Sequence, residues 1–346
     1  MELENLRSWA LVSNKLFLNS INNIPQSTPP IWFMRQAGRY HSHYKEFKKK
    51  YSFEELCKNP ELSSEIACGP INEFDFDIAI LFSDILFALE GLGMSLKFEP
   101  GPVFSQELVK ENLSQFQNVD KAIEHLQFQK EAIRLTKNKL TNNKSLIGFV
   151  GGPYTLLKFA IGKTNKAILK KDSFEIDFLN NTLVPLLIKN IQLQLDSGAE
   201  LVMIFDSGLK DIDTMEFENI YLDILKKISE NFKSNVGYYA KGLENNYCNS
   251  LLKLNFAGIG CDSSNDLPLF LKSKSKGFIQ GNFDETKMLL NKNDLKEELS
   301  RYCDNLLKLD VNERSGWICG LGHGINKDTP EENVHLFIKT IRENFK

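Results

Sequence analysis

No apolar run in this chain approaches the roughly 18 residues that span a bilayer. The N-terminus carries Glu2 and Glu4 where a leader would be basic and then apolar. Neither a membrane segment nor a secretion signal is expected, and the sequence predicts a cytoplasmic protein. Charge of one sign is also missing, since 42 Lys and Arg against 45 Asp and Glu leave a formal −3. Without a global basic field, nucleic acid is not an expected partner, and any anion site must be assembled locally. The basic clusters Lys48-Lys49-Lys50 and Lys272, Lys274, Lys276 read as solvated faces. The six cysteines, at 57, 68, 248, 261, 303 and 319, form no Cys-x-x-Cys pair. That pattern excludes a regular disulfide framework and fits free thiols in a reducing compartment.

Several chemical signatures are absent too. Gly162-Lys163-Thr164 resembles the end of a phosphate-binding loop, but the earlier glycine it requires falls at Leu157. Gly258-x-Gly260 lacks the third glycine of a dinucleotide fingerprint, because position 263 is Ser. There is no Gly-x-Ser-x-Gly elbow for a nucleophile. Cys319 and His323 stand four apart, yet two ligands leave a zinc tetrahedron half empty, so no metal is expected.

What is present is a core and a rhythm. At 346 residues, 42% of them hydrophobic, the chain can bury a large interior. Short apolar runs alternate with longer amphipathic stretches such as Asp120–Asn138 and Phe178–Gly198. The runs are Ile31–Met34, Ile78–Phe82, Ser145–Val150, Leu201–Phe205, Val236–Tyr239, Gly258–Gly260, Gly277–Gln280 and Trp317–Gly320. Their near-continuous hydrophobicity predicts parallel strands covered on both faces. Eight such strands close most simply as a single α/β domain over residues 1–346, a (β/α)8 TIM barrel with its chemistry at the strand C-termini.

Polar residues collect at those ends. Arg35, Gln36 and Arg39 follow the first run, Ser83 and Asp84 the second, and Gly151-Gly152-Pro153-Tyr154-Thr155 the third. Asp206-Ser207, Asp262-Ser263, Gly281-Asn282-Phe283-Asp284 and Gly322-His323-Gly324 follow later runs. Ser83, Asp206 and Asp284 are open to a second reading as helix caps. Arg35 and Arg39 each offer a planar fork of permanent positive charge, and Gly38 between them lets the backbone turn. A guest with more than one acidic group fits that pair. His323 between two glycines has an accessible ring and no packing reason for its place.

The run Pro30-Ile31-Trp32-Phe33-Met34-Arg35-Gln36-Ala37-Gly38-Arg39-Tyr40 resembles the first signature of the uroporphyrinogen decarboxylase family. The resemblance continues through Phe82-Ser83-Asp84-Ile85-Leu86, Gly148-Phe149-x-Gly151-x-Pro153-Tyr154-Thr155-Leu156 and Phe205-Asp206-Ser207. It ends with Gln280-Gly281-Asn282 and Leu321-Gly322-His323-Gly324, so it spans almost the whole chain in order. It implies one barrel, a homodimer with facing clefts, and catalysis without metal or organic cofactor. The implied reaction removes carbon dioxide from the four acetate side chains of uroporphyrinogen III, giving coproporphyrinogen III.

The resemblance also implies roles. Asp84 would be the catalytic carboxylate, accepting pyrrole N–H groups and offsetting charge on the ring. Arg35 and Arg39 would hold acetate or propionate groups, with Arg35 assisting proton delivery and Gln36, Ala37 and Gly38 completing the binding loop. Tyr154, Ser207 and His323 would line the cleft, the last two touching substrate carboxylates. Phe159 stands where the family usually has a tyrosine with its hydroxyl near the catalytic aspartate, a place that water can take. Further departures are Gly162, Gly208-Leu209 and Cys261-Asp262-Ser263. Two other readings remain open at this point, a cobalamin-dependent methyltransferase on a similar barrel and a non-catalytic relative. The first commonly uses a His-x-Cys pair, which this chain lacks.

Overall fold

The computed structural model describes residues 13–98, 101–141, 143–165, 167–232, 234–242 and 245–346. Glu2 and Glu4, read above for a leader, lie outside them. Seven strands form one all-parallel sheet: β1 Ile78–Ile80, β4 Ser145–Gly151, β5 Leu201–Phe205, β6 Val236–Tyr239, β7 Gly258–Gly260, β8 Phe278–Phe283 and β9 Trp317–Leu321. They are hydrogen-bonded in that order. A small antiparallel hairpin, β2 Leu96–Lys97 with β3 Val103–Phe104, has no counterpart in the sequence reading.

Alternation along the strands sorts the core into two layers, because successive side chains point to opposite faces. Ile78, Ile80, Ile147, Leu201, Met203, Tyr239, Phe278 and Ile318 form one buried cluster with Trp32 and Met34. Their neighbours Ala79, Leu146, Val202, Ile204, Tyr238, Ile259, Ile279 and Cys319 belong to a larger cluster beneath the helices. Both faces are dry, which is why the strands read as continuous apolar runs. The helix Lys15–Ile21 closes the end where the strands begin. Asn14 donates its backbone N–H to Ser145 Oγ at 3.0 Å, Ser20 Oγ donates to the Trp317 carbonyl at 3.0 Å, and Phe17 joins the inner cluster.

The expected first strand, Ile31–Met34, is reduced to a single bridge. Ile31 pairs in parallel with Cys319, Trp32 N–H donates to the Cys319 carbonyl at 3.2 Å, and Cys319 N–H donates to Pro30 at 2.9 Å. On the other side Asp77 N–H donates to the Ile31 carbonyl at 3.0 Å. The segment therefore touches both edges of the sheet, but side chains do most of the ladder's work. Ile31 N–H donates to the Asp77 carboxylate at 2.8 Å. Gln36, fully buried, accepts from Phe33 N–H at 3.1 Å and donates to the Ile78 carbonyl at 2.9 Å. Pro29 and Pro30 have no N–H to give, and the chain turns at Arg35, so the run is too short for a ladder. The seventh expected strand is longer than read and takes in Gly281, Asn282 and Phe283.

Candidate active site

Arg35 is held in a left-handed conformation, φ 64°, which an ordinary residue adopts only at a cost of roughly 1–2 kcal/mol. The conformation turns the chain away from the sheet, and Gln36 N–H closes the turn on the Phe33 carbonyl at 3.0 Å. The arginine stem then lies across Gly324, where an added Cβ would sit 2.5 Å from Arg35 Cδ. Glycine is required there for the stem to pass. Ile325 N–H donates to the Met34 carbonyl at 3.0 Å and pins the two loops together. In this way the first and last strand ends share a floor, with Arg35 beside His323.

Arg35 and Arg39 are both exposed, and among the described residues neither guanidinium makes a hydrogen bond or an ion pair. Ala37 and Gly38 are half-buried between them, and the Gly38 carbonyl accepts His41 N–H at 3.0 Å. Asp84 follows the end of β1, within reach of the Arg35 charge, and keeps some accessible surface. One carboxylate oxygen accepts Leu86 N–H at 2.9 Å. Burial pushes its pKa up to about 6, against the pull of that N–H and of the Arg35 and Lys163 charges.

His323 stacks on Tyr239, ring centroids 6.0 Å apart and planes at 15°. The Tyr239 hydroxyl donates to the Gly322 carbonyl at 2.9 Å and stands 3.0 Å from His323 Nδ1. With its one proton given to Gly322, that hydroxyl accepts from Nδ1–H, which leaves Nε2 as the imidazole's acceptor. Burial lowers the His323 pKa to about 4, with the charges of Lys241 and Arg35 acting in the same direction against Asp262. The ring is neutral near pH 7.

The family model for uroporphyrinogen decarboxylase (URO-D) matches residues 12–344. The chain belongs to the uroporphyrinogen decarboxylase family. A uroporphyrinogen decarboxylase of Orientia tsutsugamushi is 32% identical over 342 residues, covering 94% of this chain and 97% of that one. One from Campylobacter jejuni is 34% identical over 346 residues, covering 95% and 98%. Among solved structures, a methyltransferase from Methanosarcina mazei superposes with a TM-score of 0.74 at 14% identity, covering 96% of this chain and 99% of that one. That likeness concerns the fold alone.

The remaining candidates divide into two layers. Ser207, half-buried, opens the short 3-10 helix Ser207–Asp211. Phe159 is half-buried near the end of the helix Pro153–Ala160, with the Lys163 ammonium 4.4 Å from its ring centroid. Tyr154 is only 1% exposed, its ring edge-on to Tyr221 and its backbone N–H donating to the Tyr221 hydroxyl at 2.9 Å. Asp206 stands at the N-cap position of the 3-10 helix Ser207–Asp211, but its side chain makes no capping bond there and is fully buried rather than open. It accepts from Thr155 N–H at 2.8 Å, Thr155 Oγ1 at 2.7 Å, Tyr238 at 2.8 Å and Tyr221. This buried carboxylate ties the ends of β4, β5 and β6 together.

Asp284 serves the loop locally, accepting from Thr286 N–H and Oγ1 at 2.9 and 2.7 Å. Ser83 Oγ accepts from Gln129 at 3.1 Å. All six cysteines are free and buried. Among the described residues no three His, Cys, Asp or Glu side chains gather as metal ligands, and no helix is long and apolar enough to cross a membrane. The sequence reading missed Tyr239 and its hydroxyl beside His323. The signal available was its place as the last residue of an expected strand.

Proposed function

We propose that this chain decarboxylates uroporphyrinogen, converting its four acetate side chains to methyl groups and releasing coproporphyrinogen. The observation that carries the reading is the pair of exposed guanidiniums on one loop, without partners among the described residues, one of which, Arg35, acts on the desolvated Asp84 carboxylate. Losing carbon dioxide from an acetate on an electron-rich pyrrole needs a place for the electron pair. Protonating the ring carbon next to the one that bears the acetate makes the ring cationic, with positive charge shared by the acetate-bearing carbon. The C–C bond electrons then enter that ring as carbon dioxide leaves, giving an exocyclic methylene; its protonation completes the methyl group, and loss of the proton first added to the ring carbon restores the pyrrole.

Asp84 supplies a fixed negative charge where the positive charge develops, and it accepts the pyrrole N–H groups. Such preorganised electrostatics in a water-poor site are worth more than the same contact in water. Arg35 and Arg39 bind the acetate and propionate groups. A guanidinium's high pKa makes it a weak proton donor, so Arg35 acts chiefly by charge and bidentate geometry. Neutral His323, with Nε2 as acceptor, takes a protonated or N–H group of the substrate rather than the ionised carboxylate expected from the sequence, and Ser207 contacts a carboxylate. Gln36, Ala37 and Gly38 set the loop, and Tyr154 backs the cleft from within.

The same reading makes the chain a single closed (β/α)8 domain, a cytoplasmic homodimer and an enzyme without cofactor. Anaerobic incubation with chemically reduced uroporphyrin tests the activity. Stepwise loss of four carboxyl groups by mass spectrometry is the expected result, and unchanged substrate overturns it. Light scattering in solution tests the dimer independently.

A further inference from the structure

The segment after the helix Pro153–Ala160 is fixed by its own sequence. Gly162 has φ +91°, a conformation that suits glycine, and the Glu107 carboxylate packs where a Cβ would stand. Glu107 also accepts from Asn165 Nδ2 at 3.0 Å, and Leu108 N–H donates to the Ala160 carbonyl at 2.7 Å. These contacts hold a turn from which Lys163 reaches back over the face of Phe159, its ammonium 4.4 Å from the ring centroid. Lys163 is exposed, and among the described residues it has no acidic partner.

We propose that Lys163, perched on Phe159, is a third cation of the substrate cradle and binds a carboxylate of the tetrapyrrole beside Asp84. The inference rests on the decarboxylase reading. A uroporphyrinogen carries eight carboxylates, and Arg35 and Arg39 alone leave most of that charge unanswered on a chain that is itself at −3. Phe159 cannot offer a hydroxyl to the site, but its ring face attracts a cation, and cation–π contact holds an ammonium without neutralising it. Lys163 remains available to an anion for that reason. Electrostatics agree with the placement, because Lys163 and Arg35 are the two cations acting on Asp84, and the Cys57 thiol is the other titratable group that senses it.

Lys163→Gln removes the charge from a side chain one atom shorter, Lys163→Arg keeps the charge and the affinity for a ring, and Phe159→Leu removes the ring. With reduced uroporphyrin, Lys163→Gln is expected to raise KM about three- to tenfold, with the smaller part of the loss in kcat. It should also weaken the rise of KM with salt and move the acidic limb of the pH profile upward, since Asp84 loses a cation. Lys163→Arg restores all three. Phe159→Leu reproduces part of the KM effect, and the double variant with Lys163→Gln falls short of the sum, as expected for coupled neighbours. A merely structural Lys163 would change thermal stability and leave the salt slope and acidic limb in place. Parent-like KM, salt slope and pH profile in Lys163→Gln overturn the inference. A parent protein that leaves reduced uroporphyrin unchanged overturns the decarboxylase reading itself.

Discussion

Asp84 combines a catalytic requirement with a cost to the fold. Its pKa of about 6 lies above the ordinary carboxylate value of 3.8 because burial disfavours the charge. Below about pH 4 the group is protonated in both the folded and the unfolded chain. Between the two values the folded chain keeps a proton that the unfolded chain has released, so stability falls as pH rises, and the full penalty applies above about 6. At 1.36 kcal/mol per pKa unit the penalty is at most about 3 kcal/mol. Asp84→Asn keeps an acceptor for Leu86 N–H and removes the charge. It should therefore melt higher than the parent at pH 8, with the difference vanishing near pH 4. Turnover should fall at least tenfold, since a charge-assisted interaction of roughly 1.5–3 kcal/mol is lost from the transition state. In the parent, kcat/KM should decline as pH drops through about 6. Equal melting at pH 8 or normal turnover would remove Asp84 from the centre of the mechanism.

Two further substitutions belong to the same scale. Arg35→Lys should lower kcat/KM at least tenfold, because an ammonium cannot reproduce a bidentate fork. Kinetics within twofold of the parent would exclude a direct contact. Phe159→Tyr should be tolerated, since it keeps the ring beneath Lys163 and adds only the hydroxyl usual in the family. Loss of activity there would mean the space beside Asp84 is filled differently. The positions of the strand-end residues were partly legible in the sequence. Arg35, Asp84 and His323 stood out as polar groups following apolar runs. Asp206 stood out equally, yet it shares the parity of Val202 and Ile204, which point to the helix layer, in keeping with its buried, structural place.

At the level of elements, seven of eight apolar runs became strands of one parallel sheet, because burial on both faces leaves a compositional mark that polar loops do not imitate. The eighth did not. Its hydrophobicity is real, with Ile31, Trp32, Phe33 and Met34 all buried, but hydrogen bonding there passes through the Asp77 and Gln36 side chains. No pattern of apolar residues announces such a substitution. Asp77 also accepts from Asn14 at 3.1 Å and from Arg342 at 3.2 Å, so one carboxylate gathers the first segment, the N-terminal helix and the C-terminal helix Glu331–Asn344. Asp77→Ala should destabilise the chain by about 2–4 kcal/mol, since it leaves a buried N–H and a cation unanswered. Gln36→Ala should cost less, about 1–3 kcal/mol, but should also lower activity by loosening Arg35. Denaturant titration with parallel kinetics separates the two effects, and parent-like stability in Asp77→Ala would show that backbone contacts suffice.

For the whole molecule, fold and chemistry part company. A methyltransferase shares the architecture at 14% identity, so the sheet alone does not choose a reaction, and the choice falls to the side chains at its open end. Those side chains must draw a polyanion to a protein of net charge −3. Attraction has to come from a local positive field around Arg35 and Arg39, against a weakly repulsive remainder. Dissolved ions screen such a field over about 10 Å at 0.1 M and about 3 Å at 1 M. KM for uroporphyrinogen should therefore rise with ionic strength while kcat changes little, because the bound substrate excludes the screening ions. Arg39→Gln should raise KM at low salt and flatten its dependence on salt, bringing the two proteins together as screening becomes complete. A KM that stays constant from low to high salt in the parent would mean that the cleft is too enclosed for mobile ions, or that its guest is not a polyanion.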